Sequence, residues 1–256
     1  MKVVILAGGY GSRLAEETSI KPKPMVEIGN LPILIHIMNY YMKFNYNEFI
    51  ICTGYKAKII NEYFKNEFKL KGKNLENITD NDLLIYSNYN KCKITLANTG
   101  LNTGTGGRIK KILKYIDDKT FMMTYGDGLS DVNINKLLDH HYKNRRLVTL
   151  TAVHPPPRWG SLIIEGEKVI DIHEKFSSQG DRVNGGFFVI DTRSAEYIEN
   201  DTIHWEQEPL KKLASLNELS AYKHDGFWQP MDTLRERNLL DEMYNNNNAP
   251  WINANK

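Results

Sequence analysis

The chain begins with residues suited to holding a phosphorylated ligand. Leu6, Ala7, Gly8, Gly9, Tyr10, Gly11, Ser12, Arg13 and Leu14 run directly out of an apolar stretch, and Lys21, Pro22, Lys23 and Pro24 follow. Glycines leave successive backbone N–H groups unobstructed, so several can turn toward one phosphate. Arg13 offers a forked, bidentate grip on phosphate oxygens, whereas Lys23 offers a point charge. The same glycines also suit a tight turn between a strand and a helix. Two phosphate motifs are excluded. No Lys-Ser or Lys-Thr pair follows the glycines, as a Walker A loop requires. The spacing G-G-x-G also departs from the dinucleotide fingerprint G-x-G-x-x-G.

Further acids and cations stand at informative addresses. Asp127 lies in a Gly-Asp-Gly turn after an apolar run, and open α/β sheets place ligands at the carboxyl ends of strands. Aspartate is equally an ordinary turn residue. Asp232 precedes Thr233 and a helical stretch, a position that suits a helix N-cap. Asp131 is read as capping a helix that begins near Val132. Arg108 follows two glycines and opens a helix, with a surface arginine as the alternative. His140 and His141 are adjacent, about 100° apart on a helix, and make a poor metal pair. His154, His173, His204 and His224 show no ligand spacing, and no G-x-S-x-G nucleophile pattern occurs.

The elements that must position these residues alternate. Residues 3–7 form a continuous apolar run, expected as a strand buried on both faces of a parallel sheet. Residues 49–52, 121–125 and 147–153 repeat that character, with 83–86 and 93–96 as further strands. Helical spacing covers 32–44, 59–64 and 108–116. Such alternation predicts an α/β domain with a mainly parallel sheet. After residue 153 the pattern changes to a more antiparallel meander, with strands at 159–164, 169–173 and 187–190 and helices at 197–199, 209–216 and 234–244. Asn245 to Asn248 read as a solvated connector. No internal repeat is present.

Composition narrows the classes. The 256 residues fit one large domain or two small ones, and 33 Lys and Arg against 31 Asp and Glu leave a formal net charge of +2. That balance excludes a strongly basic nucleic-acid surface. Cys52 and Cys92 are too few for a disulfide framework and suit a reduced, cytoplasmic compartment. No run approaches the ~20 apolar residues of a membrane span, so neither nucleic acid nor membrane is an expected partner.

The motifs carry a resemblance. LAGGYGSRL followed by KPKPMVEIG resembles the opening of the sugar-1-phosphate nucleotidylyltransferases. TGGR at 105–108, TYGDG at 124–128, NGGFFV at 184–189, WEQEPL at 205–210 and FWQPMDTLR at 227–235 follow in order. Within that family the chain is similar over nearly its full length to the glucose-1-phosphate cytidylyltransferases, to which WEQEPL and FWQPMDTLR point most narrowly. The resemblance implies a Rossmann-like α/β fold, a mixed, mainly parallel sheet flanked by helices, with a smaller β-rich sugar-binding part. One domain over 1–256 would comprise a nucleotide-binding part (about 1–150) and a sugar-binding part (about 151–256).

It further implies transfer of a cytidylyl group from CTP to α-D-glucose 1-phosphate, giving CDP-glucose and pyrophosphate. Arg13 and Lys23 fall on the family's triphosphate-contacting positions. Leu6, Ala7, Gly8, Gly9, Gly11, Ser12, Thr103, Gly104, Arg108 and Gly126 fall at the nucleotide, and Asp127 with Asp232 match its Mg²⁺-binding aspartates. Glu174, Lys175, Asn184 and Gly185 match the sugar-phosphate site. Phe176 stands where members commonly carry proline, and Pro155, Pro156, Pro157, Arg158 and Trp159 form a bulkier run, which leaves other phosphorylated acceptors open. A homo-oligomer, hexameric in the family, is implied as well. Thymidylyl or uridylyl transfer and a non-catalytic nucleotide-sugar sensor remain rivals, and Arg13, Lys23, Asp127 and Asp232 together speak against the sensor.

Overall fold

The apolar run near the N-terminus forms strand β1 (Val3–Leu6), whose four side chains are all buried. A computed structural model of the protein describes residues 1–69, 73–77, 83–87, 92–156, 161–173 and 182–253. After β1 come a 3₁₀ turn (Ser12–Leu14), α1 (Ala15–Thr18), a second 3₁₀ turn (Lys23–Met25), β2 (Glu27–Ile28), β3 (Leu31–Pro32), α2 (Ile33–Lys43), β4 (Glu48–Thr53) and α3 (Ala57–Lys69). The middle of the chain contributes β5 (Lys73–Asn77), β6 (Leu83–Ser87), β7 (Cys92–Asn98), α4 (Thr105–Ile112), β8 (Thr120–Tyr125), β9 (Gly128–Ser130), α5 (Ile134–Asn144) and β10 (Val148–Val153). It ends with β11 (Ser161–Glu165), β12 (Lys168–His173), β13 (Val183–Asp191), α6 (Glu208–Ser215), β14 (Leu219–His224), β15 (Trp228–Pro230), α7 (Leu234–Asn245) and α8 (Pro250–Asn253).

Among the described residues, nine strands join in one sheet of order β14-β10-β13-β8-β1-β4-β7-β6-β5. The central block β8-β1-β4-β7 is parallel throughout, as the continuous apolar runs predict. Side chains alternate across that block. Val3, Ile5, Phe49 and Ile51 pack on one face with α2, while Val4, Leu6, Ile50 and Cys52 pack on the other with Ile109 and Ile112 of α4. A sheet covered on both sides leaves no polar face, which is why these strands show no polar alternation. The chain runs outward from β1 to β4 and β7, then returns to place β8 on the other flank of β1. The crevice at the carboxyl ends of β1 and β8 is therefore a topological switch point, where open sheets bind ligands.

The second half is antiparallel where the turns predict it: β11 pairs with β12, and β13 pairs antiparallel with both β8 and β10. β14, absent from the sequence-based expectation, joins β10 in parallel as the sheet's terminal strand among the described residues. Half-exposed and exposed residues alternate along it, so no apolar run marks it. The expected strand at 159–164 begins at Ser161, and its first two residues lie outside the described residues. The helix expected at 108–116 starts at Thr105, after an extended Gly104, and tightens into a 3₁₀ turn from Leu113 to Tyr115. Of the helix expected at 197–199 only Tyr197 is helical, closing a 3₁₀ turn over Thr192–Tyr197 set by Asp191, whose side chain accepts from the Arg193 amide. Among the described residues no helix is long and apolar enough to cross a membrane. Cys52 and Cys92 are buried free thiols, each pushed up to about 12 by burial, so neither is a reactive thiolate.

One capping assignment changes, and the alternative of a cap at Asp232 is removed. Asn133, not Asp131, caps α5 by accepting from the Lys136 amide, and Asp131 instead faces His224 at 2.9 Å. Thr233, not Asp232, caps α7: its side chain accepts from the Glu236 amide while Glu236 accepts from the Thr233 amide, a reciprocal capping box. Asp232 is thereby left one residue outside the helix. Thr233→Ala is expected to cost about 1 kcal/mol of stability, read as a lower urea midpoint at unchanged slope; an unshifted midpoint would contradict the cap.

Candidate active site

The glycine loop is shaped by what lies beneath it. The Gly8 carbonyl accepts from the Tyr55 amide at 3.1 Å and from Arg108 Nη2 at 2.9 Å. A Cβ on Gly8 would fall 2.0 Å from Arg108 Nη1, so only glycine lets the backbone lie on the guanidinium. Gly11 adopts φ +65°, the left-handed conformation that favours glycine, and starts the 3₁₀ turn that carries Arg13. Among the described residues, the amides of Gly8, Gly9 and Tyr10 meet no carbonyl or side-chain acceptor. They remain open to an anion, as a phosphate-binding nest requires.

Lys23 is brought in by its prolines. The Pro22 ring fixes φ at −66° in an extended backbone (ψ 149°), and Pro24 follows inside the 3₁₀ turn, while Met25 and Val26 anchor the segment in the core. The lysine side chain is 8% exposed, and its Nζ lies 2.7 Å from Asp127 Oδ2 and 2.7 Å from Asp232 Oδ1. Arg13, on the solvent side, reaches Asp232 Oδ2 at 2.5 Å. Four residues distant in sequence therefore converge on one point.

A two-stranded ribbon sets the two acids side by side. β9 and β15 pair antiparallel, with Gly128 opposite Pro230. Asp127 stands just before β9 and Asp232 two residues after β15, and the Met231 amide donates to the Asp127 carbonyl at 2.8 Å. The Gly126 amide donates to the Leu6 carbonyl at 3.0 Å, which ties this ribbon to the carboxyl end of β1. Burial alone lowers the Lys23 pKa. Attraction to Asp127 and hydrogen bonds from its ammonium to both carboxylates outweigh that effect, so it is raised and the group is charged at neutral pH.

These groups line a single large cleft of about 1090 Å³. Leu6, Ala7, Gly8, Gly9, Gly11, Ser12, Arg13, Lys23, Thr103, Gly104, Arg108, Gly126, Asp127, Asn184, Gly185 and Asp232 all border it. Glu174 and Lys175, with Phe176, Arg158 and Trp159, lie outside the described residues. Thr103 and Gly104 sit on the loop before α4, held by the Gly104 amide donating to the Asp201 carbonyl at 2.8 Å. Thr103 itself donates to the Thr99 carbonyl at 2.6 Å.

Arg108 differs from its sequence expectation. It is the fourth residue of α4 rather than its first, and it is 3% exposed. Its guanidinium donates to the carbonyls of Gly8 and Thr53 and to Thr99 Oγ1, which accepts at 2.5 Å. It therefore clamps the glycine loop to the β4 terminus and the loop at 99–104, acting from beneath the cleft surface. Burial lowers its pKa, yet an arginine so far above neutrality keeps its charge. A positive charge under a glycine loop favours an anion above it.

Several cleft residues carried no expected role. Tyr125, Glu206 and Trp228 border the cleft, and Trp228 Nε1 donates to the Gly185 carbonyl at 2.7 Å. The Tyr125 hydroxyl donates to Glu206 Oε1. TYGDG, WEQEPL and FWQPMDTLR contain these three residues, so the motifs were visible although their contacts were not.

A family model described as Nucleotidyl transferase matches residues 2–229. A glucose-1-phosphate cytidylyltransferase of Salmonella typhi is 46% identical over 253 residues, 98% of each chain, and that of Salmonella typhimurium is equally similar. A solved UDP-glucose pyrophosphorylase in complex with UDP-glucose superposes with a TM-score of 0.69 over 96% of this chain and 98% of its own. At 17% identity, that last likeness concerns the fold alone.

Proposed function

Because the chain belongs to the nucleotidyl transferase family, on the branch of the glucose-1-phosphate cytidylyltransferases, we infer that it transfers the cytidylyl group of CTP to glucose 1-phosphate. The products are CDP-glucose and pyrophosphate. One observation supports this reading above the others: Lys23 lies 2.7 Å from both Asp127 and Asp232, at the sheet's switch point, in a chain so similar to those enzymes.

The chemistry asks little covalent help from the protein. The sugar phosphate attacks the α-phosphorus with an oxygen that is already anionic, so no general base is required, and pyrophosphate departs in line. The chain must align nucleophile and leaving group and offset accumulating negative charge. Lys23 supplies a desolvated point charge fixed by two carboxylates. Arg13, on the exposed rim, supplies a second. The open amides of Gly8, Gly9 and Tyr10, backed by Arg108, receive phosphate oxygens. Asn184 and Gly185, across the cleft on β13, receive the sugar.

The acids suit a hard divalent cation. Mg²⁺ takes oxygen donors, commonly one or two carboxylates completed by substrate phosphates and water. Asp127 and Asp232 each place one carboxylate oxygen 2.7 Å from Lys23 Nζ, so the two acids are neighbours, and among the described residues no cluster of three or more acidic, His or Cys side chains offers a complete protein cage. We therefore propose that these two aspartates hold Mg²⁺, which when bound neutralises phosphate charge. Cytosine selection belongs with the loop at Thr103 and Gly104 and the glycine loop. A pocket bonded to one base edge leaves buried groups unpaired with another, which discriminates strongly.

Pyrophosphate release measured for four nucleoside triphosphates against a set of sugar and non-sugar phosphates tests the assignment. Release only with CTP and glucose 1-phosphate is expected. Release with another pair, or CTP binding without any release, would overturn it. Within the active pair, Lys23→Ala is expected to keep a native circular dichroism spectrum and lose roughly 10²–10³-fold in turnover, while Asp127→Asn abolishes Mg²⁺-dependent turnover. Wild-type rates in either variant would refute the corresponding role.

A further inference from the structure

Resting on cytidylyl transfer as its premise, we propose that Glu206 is a positioning residue for the acceptor: through Tyr125 it fixes which way the Asn184 amide faces the sugar. Glu206 ends a segment stitched to the nucleotide side of the cleft. Its Oε2 accepts from Thr105 Oγ1 at 2.6 Å, at the first turn of α4. Its Oε1 accepts from the Tyr125 hydroxyl, on the strand that leads to Asp127. Tyr125 in turn accepts from Asn184 Nδ2 at 3.4 Å, on the acceptor side.

Hydrogen-bond direction makes this chain informative. A phenol has one proton, and here it goes to the carboxylate, so toward Asn184 the same oxygen can only accept. The Asn184 Oδ1 accepts from the Gly186 amide at 2.9 Å, which agrees with Nδ2 turned toward Tyr125. One Asn184 N–H is thereby engaged and the second remains to donate into the cleft. Without a carboxylate at 206, the phenol rotor is released and the Asn184 amide loses its fixed partner.

Loss of Glu206 leaves the nucleotide wall in place. The helix start is held separately by the Gly104 amide on the Asp201 carbonyl and the Gly106 amide on the Ile203 carbonyl. Thr105 Oγ1 also retains the Trp205 amide at 2.8 Å. The effect should thus fall on the acceptor rather than the nucleotide. Glutamine can preserve the polarity, its carbonyl accepting from Tyr125 and its amide facing Thr105.

Steady-state kinetics of the full-length protein with CTP and glucose 1-phosphate, alongside melting temperatures, test the proposal. Glu206→Ala is expected to raise the KM for glucose 1-phosphate roughly tenfold and leave that for CTP within about twofold. Glu206→Gln should restore most of the loss. Tyr125→Phe should reproduce it, and the double variant Tyr125→Phe/Glu206→Ala should be no worse than either single change. Parallel rises in both KM values, failure of glutamine to rescue, or additive single effects would overturn the positioning role. A wild-type protein releasing no pyrophosphate from this pair would instead overturn the reaction assignment, and the proposal with it.

Discussion

The Lys23 ammonium, almost wholly withdrawn from solvent and shared between Asp127 and Asp232, is the interaction on which the site depends. Burying an ion costs several kcal/mol unless partners replace its water. Here two carboxylates replace it, and Arg13 balances the second negative charge from the rim. The cluster is internally neutral but poised. A polyphosphate brings new negative charge to a place where cations are already fixed, so little reorganisation accompanies its arrival. The two carboxylates that hold Lys23 are also those proposed above to take a divalent ion.

The fold makes this convergence possible by topology rather than by sequence proximity. β1 and β8 are neighbours with their carboxyl ends side by side, and each releases its chain into the same crevice. From β1 comes the glycine loop, resting on Arg108; from β8 comes Gly126 and then Asp127. The ribbon of β9 and β15 adds Asp232 from the far end of the chain. The KPKP segment adds Lys23 through two fixed proline dihedrals. Two covered sheet faces give this arrangement a rigid base, and the cleft itself lies where loops meet rather than within the core.

Much of this is legible in the amino-acid sequence. Continuous apolar runs announced the parallel strands, because burial on both faces removes polar alternation. Glycine, basic and Gly-Asp-Gly motifs marked the cleft walls. Four things were not legible. Arg108 reads as a phosphate ligand by type, yet only its burial against the Gly8 and Thr53 carbonyls shows that it works from below. Asp232 and Thr233 are both good caps, and only the reciprocal bond with Glu236 separates them. β14 and β15 lack apolar runs because one closes the described sheet and the other forms only a ribbon, so tertiary pairing rather than propensity creates them. Glu206 belongs to a motif whose letters were plain, but its partners Thr105 and Tyr125 come from other elements.

Anomalous diffraction at the manganese edge, from crystals grown with CTP and Mn²⁺ in place of Mg²⁺, most directly tests whether the two acids share an ion beside Lys23 and Arg13. The account predicts one ordered peak in the cleft with carboxylate oxygens of both Asp127 and Asp232 in its coordination shell and CTP phosphate oxygens completing it. A peak bound by neither aspartate, or CTP ordered in the cleft with Lys23 and Arg13 directed away from its phosphates, would contradict it.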